Sequence, residues 1–180
     1  MNSHPSISNA LPYVPCMIDI GGFHIKEPKN LPDDLQSYLD NAKEGVIYMS
    51  MGSNFKSTDI LPETRNAILK VFAKIKQKVL WKWEEDTLPG KPTNVKLAKW
   101  LPQQEILAHP NVKLFITHGG LLSTTETIYH GVPIVAIPVF GDQHLNAKAA
   151  EMAGYGIVIP LKELSEERLA SVLEEVFANP

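Results

Sequence analysis

The sequence predicts a doubly wound α/β domain built on a parallel sheet, and three observations carry that prediction. Short, nearly unbroken apolar runs recur along the chain, as strands buried on both faces require. Segments with helical periodicity alternate with them. Right-handed crossovers between such strands place helices on both sides of one sheet. The chain has 180 residues, enough for one such domain.

Residues 1–35 form a segment apart, expected to be a linker or arm. Pro5, Pro12, Pro15, Pro28 and Pro32 interrupt any helix there, and only "MIDIGGFHI" (17–25) suggests a short edge strand. The domain proper is placed at 36–180. Its first strand is "GVIYMS" (45–50). A helix is expected from Pro62 to Lys76, with proline in the first turn and Ile68, Leu69, Phe72 and Ile75 at helical spacing. "KVLWKW" (78–83) and "VKLAKW" (95–100) are strands separated by a turn-rich loop, and "PQQEILAHP" is a short helix between prolines. Three further strands follow: "VKLFIT" (112–117), "PIVAIP" (133–138) and "YGIVIP" (155–160). Helices fill 122–130, 142–153 and 165–178. Gly154 closes the second, while Ser165 opens the third and Asn179-Pro180 stop it.

Composition narrows the function. The 17 basic and 20 acidic residues give a net charge of −3, against a nucleic-acid backbone binder. Cys16 is the single cysteine, so neither a disulfide framework nor a Cys-spaced metal site can be built. There is no apolar run of membrane-spanning length and no signal-peptide pattern. His4, His24 and His144 stand at no metal-ligand spacing, His109 reads as a helix cap, and His130 reads as a cation in a last helical turn. The dinucleotide fingerprint G-x-G-x-x-G, the P-loop and G-x-S-x-G are all absent.

In a doubly wound sheet, ligands lie beyond the carboxyl ends of the strands. Four stretches therefore deserve chemistry. The first is "FITHGGLLSTTE" (115–126). Ser123 and Glu126 have capping-box spacing, and Gly119-Gly120 permit a sharp turn. The same residues also suit an anion: His118 ends a strand, and bare glycine backbone faces a helix start. Glu126, one turn further, would repel a diphosphate but accept from the vicinal hydroxyls of a ribose. The second is "KWLPQ" (99–103), where Trp100 is either core or a platform for a base, and Gln103 suits a base edge or ribose hydroxyl. Lys82, on the neighbouring strand, either approaches that base or stays in solvent. The third is "FGDQ" (140–143), in which Asp142 caps a helix and Asp142 and Gln143 both suit sugar hydroxyls. The fourth is "SMGS" (50–53), whose Ser50 and Ser53 can donate to phosphate beside Gly52.

Taken together, "WLPQQEILAHPNVKLFITHGGLLSTTETIYHGVPIVAIPVFGDQHLNA" closely resembles the signature of the UDP-glycosyltransferases, animal type and most like those of insects. "GGFHI", "GVIYMSMGS" and "KVLWKW" extend the resemblance over nearly the whole chain. It implies a Rossmann-like domain, the C-terminal, donor-binding half of a two-domain GT-B enzyme. By position it implies that Trp100 stacks uracil, Gln103 contacts the uracil–ribose part, Lys82 lies near the base and Glu126 holds the ribose hydroxyls. Ser50, Ser53, Thr117, His118, Gly119 and Ser123 would surround the diphosphate, and Asp142 and Gln143 would grip the transferred sugar. Many vertebrate members have Asn-Gly where this chain has Leu122-Ser123, so the Ser123 hydroxyl replaces an amide donor.

The resemblance further implies a donor substrate, a UDP-sugar and by preference UDP-glucose, with no cofactor and no metal. It implies a small lipophilic acceptor, as in detoxification, and transfer with inversion. The catalytic base, a His oriented by an Asp, belongs to an N-terminal domain absent from this chain, so the chain is expected to be inactive alone. The parent protein is expected at the endoplasmic reticulum membrane, facing the lumen, with its anchor after this domain. A surface that faces a missing domain also favours a homodimer. Two other readings stand beside this one. A UDP-sugar epimerase of the same architecture is disfavoured by the PQ–HGG–DQ run. A non-catalytic binding module is disfavoured by the intact set Trp100, Glu126, Asp142 and Gln143.

Overall fold

The computed structural model describes residues 14–178. Six parallel strands form one sheet, in chain order β1 (Val46–Ser50), β2 (Lys78–Lys82), β3 (Val95–Ala98), β4 (Val112–Thr117), β5 (Ile134–Ala136) and β6 (Gly156–Val158). Their spatial order is β3-β2-β1-β4-β5-β6, the Rossmann order, which reverses between β1 and β4. Six helices flank the sheet: α1 (Asp33–Asp40), α2 (Pro62–Phe72), α3 (Gln103–Leu107), α4 (Leu121–His130), α5 (Gln143–Met152) and α6 (Glu166–Ala178).

The strands are buried on both faces because each side has its own core. Along β1, Ile47 and Met49 join Trp81, Phe72, Ile68 and Leu173 on one side. Val46 and Tyr48 join Leu35, Leu39, Ile106 and Phe115 on the other. Period-2 alternation within one strand thus feeds two cores. Tyr48 and Phe115, from adjacent strands, stack with centroids 4.7 Å apart.

The observed elements are shorter than the periodic runs that signal them. "PIVAIP" pairs only over Ile134–Ala136. Pro133 and Pro138 bracket it and offer no ladder N–H. α2 ends at Phe72 rather than Lys76, and Lys74 N reaches back only to Val71 O as the helix tightens into a turn. Ser165 does open α6: its Oγ accepts from Arg168 N at 3.1 Å. Gly154, just beyond α5, has φ +79°, the left-handed stop expected of it. Asn179 and Pro180 lie outside the described residues, as do residues 1–13 of the arm.

Three expectations are corrected. No strand forms over 17–25; the chain makes successive turns there, closed by Phe23 N to Ile20 O and Ile25 N to Gly22 O. Gly22 has φ +82°, which a side-chain-bearing residue resists. α1, not anticipated, crosses the position at which the domain was expected to begin and buries Leu35 and Leu39. His109 is no simple cap: its Nε2 lies 3.1 Å from Asp40 Oδ1, and its Nδ1 accepts from Asn111 N, joining α1 to the α3–β4 turn.

Candidate functional site

A cleft of about 620 Å³ opens at the carboxyl ends of β1 and β2, beside the reversal of sheet order between β1 and β4. Ser50, Gly52 and Ser53 line it from the turn after β1, and Lys82 from the end of β2. Trp100 and Pro102 flank it between β3 and α3. Gln103 and Gln104 come from α3, Ser123 and Glu126 from α4. The arm closes one side with His24, Lys26, Glu27 and Lys29. Seven of the twelve residues singled out in the sequence thus line one cavity: Ser50, Ser53, Lys82, Trp100, Gln103, Ser123 and Glu126. Thr117, His118, Gly119, Asp142 and Gln143 do not line it; Thr117 ends β4, Gln143 opens α5, and the others lie in the adjoining β4–α4 and β5–α5 turns.

The capping box of Ser123 and Glu126 does not form. α4 begins at Leu121 with Gly120 as its cap, without a side-chain capping bond. Ser123 is already helical, and Glu126 lies on the buried side. Glu126 Oε2 accepts from Gln103 Nε2 at 2.6 Å, and Oε1 accepts from Gln104 Nε2 at 3.1 Å. Gln103 is itself fixed, donating to Ser123 Oγ at 3.0 Å and accepting from the Tyr48 hydroxyl at 3.2 Å. The carboxylate is only 7% exposed, but it borders the cleft, where its remaining lone pairs suit hydroxyl donors. Trp100 is 76% exposed at the rim, so the core reading of this tryptophan fails. A flat ring left in water beside a cavity is a stacking surface.

His118 is held between two glycines. A Cβ on Gly52 would stand 2.6 Å from its Cε1, and one on Gly120 would stand 2.7 Å from its Nε2. Only bare backbone fits on both sides of the ring. Burial lowers the His118 pKa below the ordinary imidazole value; nearby Lys82 lowers it further and Asp142 opposes both. The ring is therefore neutral at pH 7, with one nitrogen donating and one accepting. Thr117 Oγ1 is taken up locally, accepting from Gly119 N at 3.3 Å. Lys82 neither reaches towards Trp100 nor stays in solvent. Its Nζ donates to Gly52 O at 2.8 Å and pairs with Glu84 Oε1 at 3.0 Å, tying down the turn after β1.

The β5–α5 turn is tied to this arrangement. Gln143 is buried, and its Oε1 accepts from Val139 N and Phe140 N at 2.8 and 3.1 Å. Asp142 precedes α5 without a capping bond from its side chain; its Oδ2 instead accepts from Asn146 Nδ2 at 2.8 Å. Asn146 Nδ2 also donates to Gly119 O at 3.0 Å, bracing the two turns. Sequence reasoning gave no role to Asn146, Gln104, Tyr48 or His24. Asn146 lies one helical turn after Asp142, and the doubled glutamine of "PQQE" was a signal for Gln104. Tyr48 was hidden inside an apolar strand. His130, expected as a helix-terminal cation, is lowered in pKa by burial, which Glu126 only partly opposes, so it is neutral instead.

The sequence profile of UDP-glucoronosyl and UDP-glucosyl transferases matches residues 6–180. The chain belongs to the UDP-glycosyltransferase family. It is 44% identical over 180 residues to UDP-glycosyltransferase UGT5 of Dactylopius coccus, spanning all of this chain and 34% of that protein. It is 38% identical over 170 residues to the mouse UDP-glucuronosyltransferase 2B17, spanning 94% of this chain and 32% of that one. It therefore covers about a third of the length of these relatives. Among solved structures, the glycotransferase of kitacinnamycin superposes with a TM-score of 0.69 at 25% identity, over 89% of this chain and 40% of that one. A UDP-glucose: anthocyanidin 3-O-glucosyltransferase in complex with UDP superposes with a TM-score of 0.72 at 24% identity, over 84% of this chain and 35% of that one. The fold is the doubly wound, Rossmann-like sheet of the GT-B glycosyltransferases, as the sequence predicted. Among the described residues, no helix of this family member is long and apolar enough to cross a membrane.

Proposed function

We propose that this chain is the donor-binding domain of a UDP-glycosyltransferase, and that its cleft takes a UDP-sugar, by preference UDP-glucose. The observation that carries this reading is the pairing of an exposed Trp100 with a buried, amide-held Glu126 across one cleft beside the sheet's reversal point. Trp100 stacks the uracil, Gln103 meets the uracil–ribose part, and Glu126 accepts from the ribose hydroxyls. The diphosphate then points towards the turns after β1 and β4. Ser50, Ser53, Ser123, neutral His118 and the start of α4 supply donors to it, while Gly119, whose N–H is held by Thr117 Oγ1, shapes the turn around it. Thr117 and Lys82 serve the same end by fixing those turns. Gln143 holds its own turn through its carbonyl and keeps its amide nitrogen for a sugar hydroxyl, beside Asp142.

In the whole protein the reaction is transfer of a hexose to a hydroxyl of a small lipophilic acceptor, with inversion. A base from another domain removes the acceptor proton as its oxygen attacks the anomeric carbon. The bond to the β-phosphate breaks on the opposite side, and UDP leaves with the electron pair. Donors already fixed at His118, Ser123 and the helix start meet the charge that develops there. The isolated chain binds donor and transfers nothing. The parent protein sits at the endoplasmic reticulum membrane. Asp142, exposed beside the sugar position, disfavours a donor bearing its own carboxylate.

Calorimetric titration with UDP-glucose and UDP-glucuronate tests this choice of sugar. UDP-glucose is expected to bind more tightly, and Asp142→Asn is expected to narrow the gap. Tighter binding of UDP-glucuronate to the unaltered chain would contradict it.

A further inference from the structure

The arm is more than a connection, because it reaches the buried carboxylate of the cleft. Gly22 at φ +82° and the turn closed by Ile25 N to Gly22 O bring His24 over α4. His24 Nε2 lies 3.5 Å from Glu126 Oε1, the oxygen that also accepts from Gln104. Gln104 grips the arm at two points. Its Oε1 accepts from Lys26 N at 3.0 Å, and its Nε2 donates to His24 O at 3.4 Å. One amide side chain thus reads the arm backbone as a neighbouring strand would, and the same amide holds Glu126. Polar contacts at His24 and Lys26 couple this part of the arm to the cleft.

From this geometry we infer that the arm is part of the donor site, and that His24 is a positioning residue for Glu126. Glu126 accepts two side-chain hydrogen bonds, from Gln103 on Oε2 and Gln104 on Oε1, and the His24 ring adds a third, longer contact, its Nε2 standing 3.5 Å from Oε1. Three contacts from two segments, α3 and the arm, define the plane of the carboxylate. That plane decides whether its remaining lone pairs meet two adjacent hydroxyls together or only one. Without His24 only the two amides of α3 resist rotation about the carboxylate's last torsion, a broad and soft one. The substrate class this favours is a nucleotide with an intact cis-diol. The inference rests on the UDP-sugar reading and deepens it.

The test compares UDP with 2′,3′-dideoxy-UDP by calorimetry on the unaltered chain, His24→Ala, His24→Gln and Glu126→Gln. His24→Ala is expected to weaken UDP about five- to tenfold, the scale of one ordinary polar contact rather than of a strong charge-assisted bond. It is expected to leave dideoxy-UDP unchanged, since that probe lacks the hydroxyls Glu126 would hold. His24→Gln keeps a donor and restores part of the loss. Unchanged UDP affinity in His24→Ala, or an equal loss with both probes, overturns the role of His24 while the donor-site reading stands. Binding of neither probe to the unaltered chain overturns that reading and this inference with it. His24 lies outside both cores, so circular dichroism is expected to show all variants folded.

Discussion

Replacing Glu126 by alanine is expected to cost roughly a hundredfold or more in UDP affinity, because two charge-assisted hydrogen bonds of about 1.5 kcal/mol each are lost. The loss has two parts. The ribose hydroxyls lose an acceptor that no other cleft residue supplies at that depth. Gln103 and Gln104 also lose their shared partner, so their amides are free to swing into the space the nucleotide needs. Glu126→Gln separates the two parts, since it keeps the shape and removes the charge. Its affinity should fall between those of Glu126→Ala and the unaltered chain. Calorimetry reads both variants, and an affinity for UDP unchanged in Glu126→Ala would remove the ribose assignment.

The second large effect is on the fold around His118. Gly52→Ala is expected to destabilise the chain by about 2–4 kcal/mol, lowering the melting temperature by about 4–16 °C in a domain of this size. Two causes add. Gly52 has φ +88°, which costs any residue with a Cβ, and that Cβ would stand 2.6 Å from the His118 ring. The ring is crowded already, because it also lies against Gly120, where an added Cβ would stand 2.7 Å from Nε2. Gly90→Ala is the control: φ is +75°, and nothing lies within 4 Å of the added carbon. It carries the backbone strain alone, about 1–2 kcal/mol. Equal losses in the two variants would mean that the imidazole is not confined.

Much of the fold could be read from the chain, for a physical reason. "GVIYMS" and "VKLFIT" lie at the sheet centre, buried on both faces, so every position but the exposed Lys113 had to be apolar or able to hide its polar atoms. The arm behaved differently. "MIDIGGFHI" alternates as an edge strand does, yet Gly22 turns the chain before any pairing begins. α1 escaped notice because Pro28 and Pro32 precede it and its buried face rests on little more than Leu35 and Leu39.

Within the candidate site, residue types that end a strand were legible and their partners were not. Trp100 and Glu126 could be picked out, but a capping box explained Ser123 and Glu126 equally well until the helix was seen to start at Leu121. Lys82 offers the same lesson, since its charge is committed to Gly52 and Glu84. The contact between His24 and Glu126 joins distant parts of the chain, and no local pattern announces it.

The central claim is that this cleft binds a uridine diphosphate. The most direct measurement is a calorimetric titration of the unaltered chain with UDP and with ADP, repeated for Trp100→Ala. The account predicts one saturable UDP site, weaker or absent ADP binding, and a UDP affinity lowered by about 1–3 kcal/mol when the stacking ring is removed. Equal binding of the two nucleotides, no binding of either, or indifference to Trp100 would contradict it.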